Sequence, residues 1–168
     1  YRTLPKHGYR LLILRVHSSA AMLQGENFTE APVCLFTSEN YSTSSHVWEQ
    51  LTEQIVIASC AMPQPPYYFG ILPKFVTSSM SLSGKFNKTT VIMMGCEGLN
   101  NTKMAEAFIA IGAKAYIGWN KSVSAGHTDR ATICLLQQLI REKQTINQAV
   151  ETTMKEVGPD PAENSLLD

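Results

Sequence analysis

A short apolar run, Val91-Ile92-Met93-Met94, stops at Gly95-Cys96 and is followed by a polar stretch and then a helix-period pattern. A continuous apolar run without polar alternation indicates a strand that is covered on both faces, which is typical of parallel sheets. In open α/β sheets, ligands and chemistry collect where the loops leave the carboxyl ends of the strands. We therefore expect Cys96 to emerge at that edge, where a thiol can act as a nucleophile.

A second apolar run, Arg10-Leu11-Leu12-Ile13-Leu14-Arg15-Val16, ends at His17-Ser18-Ser19. We interpret it as another buried strand, with His17 at its carboxyl end as Cys96 is at the end of the first. If the two strands are neighbours, the imidazole favours the thiolate form of the cysteine and can protonate a leaving amine. The alternative is that both residues are structural, and the pattern alone leaves both interpretations open.

The remaining segments alternate between strands and helices. Further strands are predicted over residues 32–37, 55–59 and 115–119, and helices over residues 43–54, 103–111, 129–141 and 145–157. The prolines at 63, 65 and 66 make the aromatic segment that follows them a loop, either packed on the core or forming a cleft wall, and exclude a central strand there. The alternation predicts an α/β fold, a three-layer α/β/α sandwich with a mainly parallel sheet.

The composition argues against nucleic-acid binding and against a membrane-spanning helix. Charged residues make up 17% of the 168 residues, and 14 Lys and Arg balance 14 Asp and Glu, so nothing favours nucleic acid as a partner. No apolar run approaches the roughly 20 residues of a membrane helix, and no signal peptide pattern opens the chain. The length fits one domain spanning residues 1–168, and the abrupt start and end indicate a fragment of a longer protein.

No cofactor motif is present, and neither a phosphate loop nor a dinucleotide fingerprint occurs. The four cysteines lack metal-ligand spacing, and a Cys34–Cys60 disulfide stays an open pairing. His127 and Asp129 are two candidate ligands without a third, which is a weak zinc pattern. We predict no cofactor and no metal. Five Asn-x-Ser/Thr sequons, at positions 27, 40, 87, 100 and 120, weakly favour an extracytoplasmic or cell-surface location.

Several stretches resemble the caspase-like cysteine peptidases, in particular the separase and CHAT-type branch. These stretches are Met93-Met94-Gly95-Cys96-Glu97-Gly98, Met104-Ala105-Glu106-Ala107-Phe108-Ile109-Ala110-Ile111-Gly112-Ala113, the strand ending in Gly118-Trp119 and the helix near Asp129. The resemblance covers residues 91–157 and, through the His strand, residues 10–19. Residues 20–90 match loosely, and we interpret them as an insertion region.

The resemblance implies a cysteine endopeptidase acting on a peptide or protein substrate. His17 would be the catalytic imidazole, and Cys96 would be the nucleophile that forms the acyl-enzyme. The backbone N–H groups of Cys96 and Ser18 would form the oxyanion hole. The family usually has glycine after the histidine, and Ser18 fits that role only with a negative φ.

The resemblance also bears on substrate choice. An acidic residue in the loop after the Trp strand selects Arg or Lys before the scissile bond in the separase-like branch, and Asp129 is the nearest match. The alternative is that Asp129 caps or starts a helix. Glu39 and Glu97 are the other carboxylates that can supply the charge, and Trp119 is expected to be a packed aromatic that shapes the pocket wall.

The family places at least one strand and helix before the His strand. The resemblance therefore implies that this chain lacks its N-terminal strand, and that an upstream segment or a second chain completes the sheet. Two other functions stay open. One is a catalytically silent caspase-like module that binds partners, which Ser18 after His17 favours. The other is a flavodoxin-like binding domain, in which His17 and Cys96 do not lie at one sheet edge.

Overall fold

The computed structural model describes residues 1–20, 31–60 and 65–168. The predicted insertion region 20–90 therefore lies partly outside the described residues, as do the sequon at position 27 and the proline at 63. The described strands are β1 (Leu11–Leu14), β2 (Ser18–Ala20), β3 (Val33–Asn40), β4 (Ile55–Ala58), β5 (Tyr68–Ile71), β6 (Thr89–Met93) and β7 (Ala113–Ile117).

The described α-helices are α1 (Val47–Leu51), α2 (Pro73–Phe75), α3 (Lys103–Ala110), α4 (Ala125–Leu136) and α5 (Ile146–Val157). A 3-10 turn, Leu4–His7, precedes β1, and α2 continues through a π-helical turn, Val76–Met80, and a 3-10 turn, Ser81–Ser83. Helix α4 likewise ends in a π-helical turn, Gln137–Arg141. None of the helices in the described part of the chain is long and apolar enough to cross a membrane.

A three-stranded parallel sheet carries the two strands that the sequence analysis emphasised. Its order is β1-β6-β7, and β1 pairs with β6 so that Leu14 lies opposite Met93. Strand β6 runs through α3 to its parallel neighbour β7, which is the strand–helix–strand unit predicted for this region. The prediction of an α/β fold with a parallel sheet is confirmed for this part of the chain.

Strand β6 is buried on both faces. Successive side chains of a strand point to opposite faces, and each face of β6 packs against a different apolar cluster. Val91 and Met93 belong to one apolar cluster that includes Phe108 of α3. Ile92 belongs to a second cluster that includes Leu135 of α4. Helices thus cover both faces of the central strand, as its uninterrupted apolar run predicts.

Strand β1 departs from the prediction of a buried strand. It lies at an edge of the parallel sheet, where Leu12 and Leu14 are buried but Ile13 is 39% exposed. An edge strand has one neighbour instead of two, so an apolar side chain on its uncovered face stays in contact with solvent. The apolar run Leu11–Leu14 alone does not distinguish an edge strand from a central one.

A second sheet corrects the prediction of a mainly parallel structure. Four strands in the order β2-β3-β5-β4 pair in antiparallel fashion. Strand β5, Tyr68–Ile71, is an interior strand, whereas the sequence analysis excluded a central strand in this aromatic segment. Pro65 and Pro66 do not interrupt β5, because both lie before its first paired residue, Tyr68.

The Cys34–Cys60 disulfide that the sequence left open does not form. Both thiols are free, with Cys34 buried and Cys60 exposed. Cys34 lies against Gly70 of β5, where an added Cβ would meet the Cys34 Sγ at 2.6 Å. Burial raises the pKa of the Cys34 thiol to about 12, which makes it an unreactive core residue at neutral pH.

The last two helices illustrate one correct boundary and one incorrect one. Helix α5 begins after Thr145, whose side chain and Gln148 form a reciprocal capping box, and it ends at Gly158 as predicted. Helix α4 begins about one turn earlier than predicted, directly after the extended residue Ser124. Asp129 therefore lies within α4, and the interpretation that it caps or starts this helix is wrong.

The turn between α3 and β7 gives the first testable prediction. Gly112 has a φ of 100°, and a Cβ there would overlap the Phe86 carbonyl oxygen. We expect Gly112→Ala to lower the free energy of unfolding by about 2 kcal/mol, because an L side chain at this φ is strained and the main chain must also move. Urea denaturation measures this change.

Gly126 is the matched control, because it lies in the first turn of α4 and an added Cβ meets nothing within 4 Å. Gly126→Ala should leave stability unchanged or raise it by up to about 1 kcal/mol. Equal effects at the two positions would contradict the assignment of strain to Gly112.

Candidate active site

A cleft of about 290 Å³ lies at the carboxyl ends of β1 and β6. Three segments line it, namely residues 15–17 after β1, residues 94–96 after β6, and Val123, Ala125 and Thr128 at the start of α4. Because the carboxyl ends of neighbouring parallel strands meet at one edge, this is where the sequence analysis expected the chemistry to lie.

His17 and Cys96 lie in the segments that follow two adjacent parallel strands, β1 and β6. Leu14 is paired with Met93, and each of the two residues follows its paired residue by three positions. His17 is exposed, and its ring lies 6.1 Å from that of Phe36 at a tilt of 53°. Both side chains belong to the lining of the same cleft, so the structure brings together the two residues predicted to act as a dyad.

The Cys96 thiol is half-buried against the loop that leads into α4. Its Sγ lies 3.4 Å from the amide nitrogen of Val123, which donates to it, and 3.5 Å from the carbonyl oxygen of the same residue. The thiol donates to this carbonyl oxygen and accepts from the amide, so both polar groups of Val123 hold the sulfur in position.

Ser18 and Gly95 fix the distance between the segment that follows β1 and the segment that follows β6. Ser18 is the first residue of β2 and does not adopt a positive φ, so the geometric condition on a non-glycine residue after His17 is met. Its hydroxyl donates to the carbonyl oxygen of Cys96 at 2.5 Å. A Cβ on Gly95 would overlap the Val16 carbonyl oxygen and the Ser18 hydroxyl, so only glycine allows this approach.

Glu97 connects three segments around the cleft. One carboxylate oxygen accepts from the Ser19 hydroxyl at 3.2 Å and from the Ala20 amide at 2.9 Å, and the other accepts from the Ser122 hydroxyl at 3.2 Å. The residue adopts a φ of 59°, which is uncommon for a non-glycine residue. The role of Glu97 as a substrate-binding charge stays a prediction, and its described hydrogen bonds are all within the protein.

Asp129 is paired with Arg15. The Arg15 Nε and Nη2 atoms each donate to one carboxylate oxygen at 3.0 Å, which is a bidentate pair across the rim of the cleft. The pair is accessible, because the side chains of Arg15 and Asp129 are 63% and 43% exposed. The hydrogen bond from Arg15 holds the pKa of Asp129 below its usual range against the opposing effect of desolvation, and the charge of Arg15 adds to the lowering.

Trp119 lies behind the cleft wall and not on its surface. Its side chain is 1% exposed, and its indole N–H donates to the Thr128 hydroxyl at 2.9 Å. That hydroxyl in turn donates to the Met94 carbonyl oxygen at 3.0 Å. Direct substrate contact by Trp119 is therefore excluded in this structure, and its influence on the wall passes through Thr128, which does line the cleft.

His127 is also buried and structural. Its Nε2 lies 3.0 Å from the Gly158 carbonyl oxygen, so this nitrogen carries the hydrogen, and its Nδ1 accepts from Arg130 at 3.3 Å. Within residues 1–20, 31–60 and 65–168, no group of three His, Cys, Asp or Glu side chains is arranged to hold a metal ion.

Glu39 lies outside the cleft that contains Cys96. It lines a larger, adjoining cleft of about 1010 Å³ along β1, which Arg15, Val16 and His17 also line. Its carboxylate is 2.8 Å from the His46 Nε2. Glu39 is thus placed to contact a substrate only where that substrate extends from Cys96 past His17, and its binding role stays a prediction.

Asp160 is a site residue that the sequence analysis missed. It is 1% exposed, and its carboxylate accepts from the Ser124 amide at 3.0 Å and from the Ser124 hydroxyl at 2.5 Å. The amides of Ala162 and Glu163 donate to its other oxygen at 2.9 and 3.0 Å. Because Ser124 follows the residue that contacts the Cys96 sulfur, Asp160 positions this wall of the cleft.

Arg15, Thr128 and Val123 were missed as well. Arg15 was treated only as part of a strand, although an arginine two positions before a candidate catalytic histidine is a usable signal. The Asp160 turn has a weaker signal, the string Gly158-Pro159-Asp160, which predicts a turn but not its partner. Nothing local in the sequence predicts the roles of Thr128 and Val123.

Comparisons of this chain with protein-family models, with curated proteins and with solved structures found no match.

The Asp160 cluster gives a prediction for stability against pH. Burial alone would raise the pKa of this carboxyl, but the hydrogen bonds from Ser124, Ala162 and Glu163 outweigh it and hold the pKa below its usual range. The stabilisation is therefore present above the ordinary aspartate pKa of about 3.9 and is lost as the pH falls below it.

We expect Asp160→Asn to lower the free energy of unfolding at pH 7 by about 2 kcal/mol or more, because four donors lose a charged acceptor. Urea unfolding of both proteins between pH 7 and pH 3 should show the difference shrinking at the acid end. A difference independent of pH would mean that the carboxylate charge is not what the donors stabilise.

Proposed function

We propose that this chain is a cysteine endopeptidase domain of the caspase-like type that cleaves peptide or protein substrates through His17 and Cys96. The observation that carries the proposal is the equal placement of the two residues beyond the paired positions Leu14 and Met93, in the lining of one cleft. A flavodoxin-like binding domain is less well supported, because it predicted that the two side chains would lie apart.

The reaction follows from the two side chains. The His17 imidazole takes the thiol proton of Cys96, and the sulfur attacks the carbonyl carbon of the scissile peptide bond. The C–N bond breaks, and the leaving amine receives the proton from the imidazolium. Water, deprotonated by the same imidazole, then attacks the thioester, which releases the carboxylate product and restores the thiol.

The antiparallel ladder supports a role for the Ser18 amide in the oxyanion hole. The Phe36 amide donates to the His17 carbonyl oxygen at 2.9 Å, which makes His17 and Phe36 a hydrogen-bonded pair. Hydrogen-bonded and non-bonded pairs alternate along such a ladder, and the Ser18–Leu35 pair is next. The Ser18 amide is therefore directed away from β3 and is not used in this ladder.

The edge position of β1 supports the proposal that further structure completes the sheet. In the described residues β1 pairs with β6 alone, and Ile13 is 39% exposed beside a cleft of about 1010 Å³. An upstream segment or a second chain that adds a strand here would cover this side chain. The caspase-like assignment of the fold depends on this strand and stays part of the proposal.

Asp129 supports a preference for a basic residue before the scissile bond. It directly follows Thr128, which lines the cleft, and it is the carboxylate paired across the cleft rim with Arg15. An arginine side chain of the substrate would match its two oxygens in the same bidentate way.

The proposal predicts covalent labelling of Cys96. An acyloxymethyl-ketone probe that carries Arg or Asp should label the wild-type protein, and Cys96→Ala should abolish labelling because the attacking sulfur is gone. His17→Ala should slow labelling by about 100-fold, since the general base is lost. Mass spectrometry of the intact protein measures the adduct.

Cys60→Ala tests whether the probe reacts at Cys96. Cys60 is an exposed free thiol that does not line the cleft with Cys96 but does line the adjoining cleft with His17, so it is another thiol that the probe can reach. Labelling that depends on Cys96 and His17 should persist in Cys60→Ala. Circular dichroism of each variant tests whether it is folded. If a folded wild-type protein is labelled by neither probe, the catalytically silent interaction module replaces the peptidase as the better proposal.

A further inference from the structure

We infer that Arg15 competes with the substrate for Asp129, so that this arginine sets the strength of the preference for a basic residue. The inference rests on the proposed peptidase function and adds a residue that controls specificity. It begins from the bidentate pair in which Arg15 Nε and Nη2 donate to the two Asp129 oxygens at 3.0 Å each.

The position of Arg15 is the first argument. Arg15 lines the cleft together with His17 and Cys96, whereas Asp129 adjoins the cleft through its neighbour Thr128. Among the described residues that line this cleft, Arg15 is the one with a permanently charged side chain. A basic substrate side chain that approaches Asp129 from beside Cys96 therefore meets a guanidinium of the same charge already in place.

The geometry of the pair is the second argument. A guanidinium binds a carboxylate through two parallel N–H bonds, and a substrate arginine would need the same two oxygens that Arg15 occupies. The two arginines are thus alternatives at one acceptor. A lysine ammonium needs a single oxygen and loses less from this competition.

The exposure of the pair is the third argument. The side chains of Arg15 and Asp129 are 63% and 43% exposed. When either one changes its partner, water can therefore solvate the charge that is left, and no unpaired charge is buried. Accessible ion pairs are weak compared with buried ones, which makes displacement by a bound substrate feasible. Arg15 can then turn outwards into the adjoining cleft, which it also lines.

Steady-state cleavage of three matched peptides tests the inference. The peptides differ only in the residue before the scissile bond, which is Arg, Gln or Asp. In Arg15→Gln we expect KM for the Arg peptide to fall about 2- to 5-fold with kcat unchanged, because a competitor of surface ion-pair strength has been removed. The Gln peptide should change by less than about 2-fold, and KM for the Asp peptide should rise, because the Asp129 carboxylate left without Arg15 repels a substrate carboxylate.

Asp129→Asn is the complementary variant. It should raise KM for the Arg peptide about tenfold or more, since a charge-assisted acceptor has been lost. In the Asp129→Asn background, Arg15→Gln should lower KM for this peptide by less than it does in the wild-type protein, because the competition for the carboxylate is gone and only the repulsion between like charges is relieved. This non-additivity distinguishes competition from two independent effects.

Labelling of Cys96 by a probe carrying Gln separates the two proposals. If this probe labels all variants equally while Arg15→Gln leaves KM for the Arg peptide unchanged, the peptidase proposal stands and the inference about Arg15 is overturned. An equal rise in KM for the Asp peptide when Arg15→Gln is made in the wild-type protein and in the Asp129→Asn background would also overturn it, because Arg15 would then bind a substrate carboxylate directly. Absence of Cys96 labelling in every folded variant would overturn both.

Discussion

The close packing of Gly95 against the β1–β2 connection is the contact on which the rest of the site depends. Parallel pairing of β1 with β6 sets the register up to Leu14 and Met93, and beyond this point the ladder no longer fixes the distance between the chains. Gly95 does so instead, because the Val16 carbonyl oxygen and the Ser18 hydroxyl occupy the space of a side chain. The Ser18 hydrogen bond to the Cys96 carbonyl then links the two loops that carry the imidazole and the thiol.

The parallel half of the fold was predictable because its signals are local. The apolar run in β6 and the helical patterns of α3 and α5 each describe one element and need no knowledge of its neighbours. The antiparallel sheet was not predictable in the same way. Strand β5 is placed between β3 and β4 by pairing partners far along the chain, and the nearby prolines suggested a loop.

In the candidate site, too, the residues with local sequence signals were predictable and the others were not. His17 and Cys96 were predictable because each ends an apolar run, and their meeting needed only the assumption that the strands are neighbours. Arg15 and Asp129 are 114 positions apart, and no periodicity relates them. Trp119 was predicted to shape the cleft wall, but it is buried behind Thr128, which lines the cleft. The sequence shows an aromatic side chain but not its depth in the core.

The three carboxylates around the cleft differ in what holds them, and this difference indicates which one can exchange its partner. Asp160 accepts from four donors and Glu97 from three, and main-chain amides are among the donors in both cases. To release either one would move the backbone of the cleft. Asp129 is held by a single exposed side chain, so exchange of its partner would not require the backbone of the cleft to move. The carboxylate with the weakest structural role is therefore the one best suited to recognise a ligand.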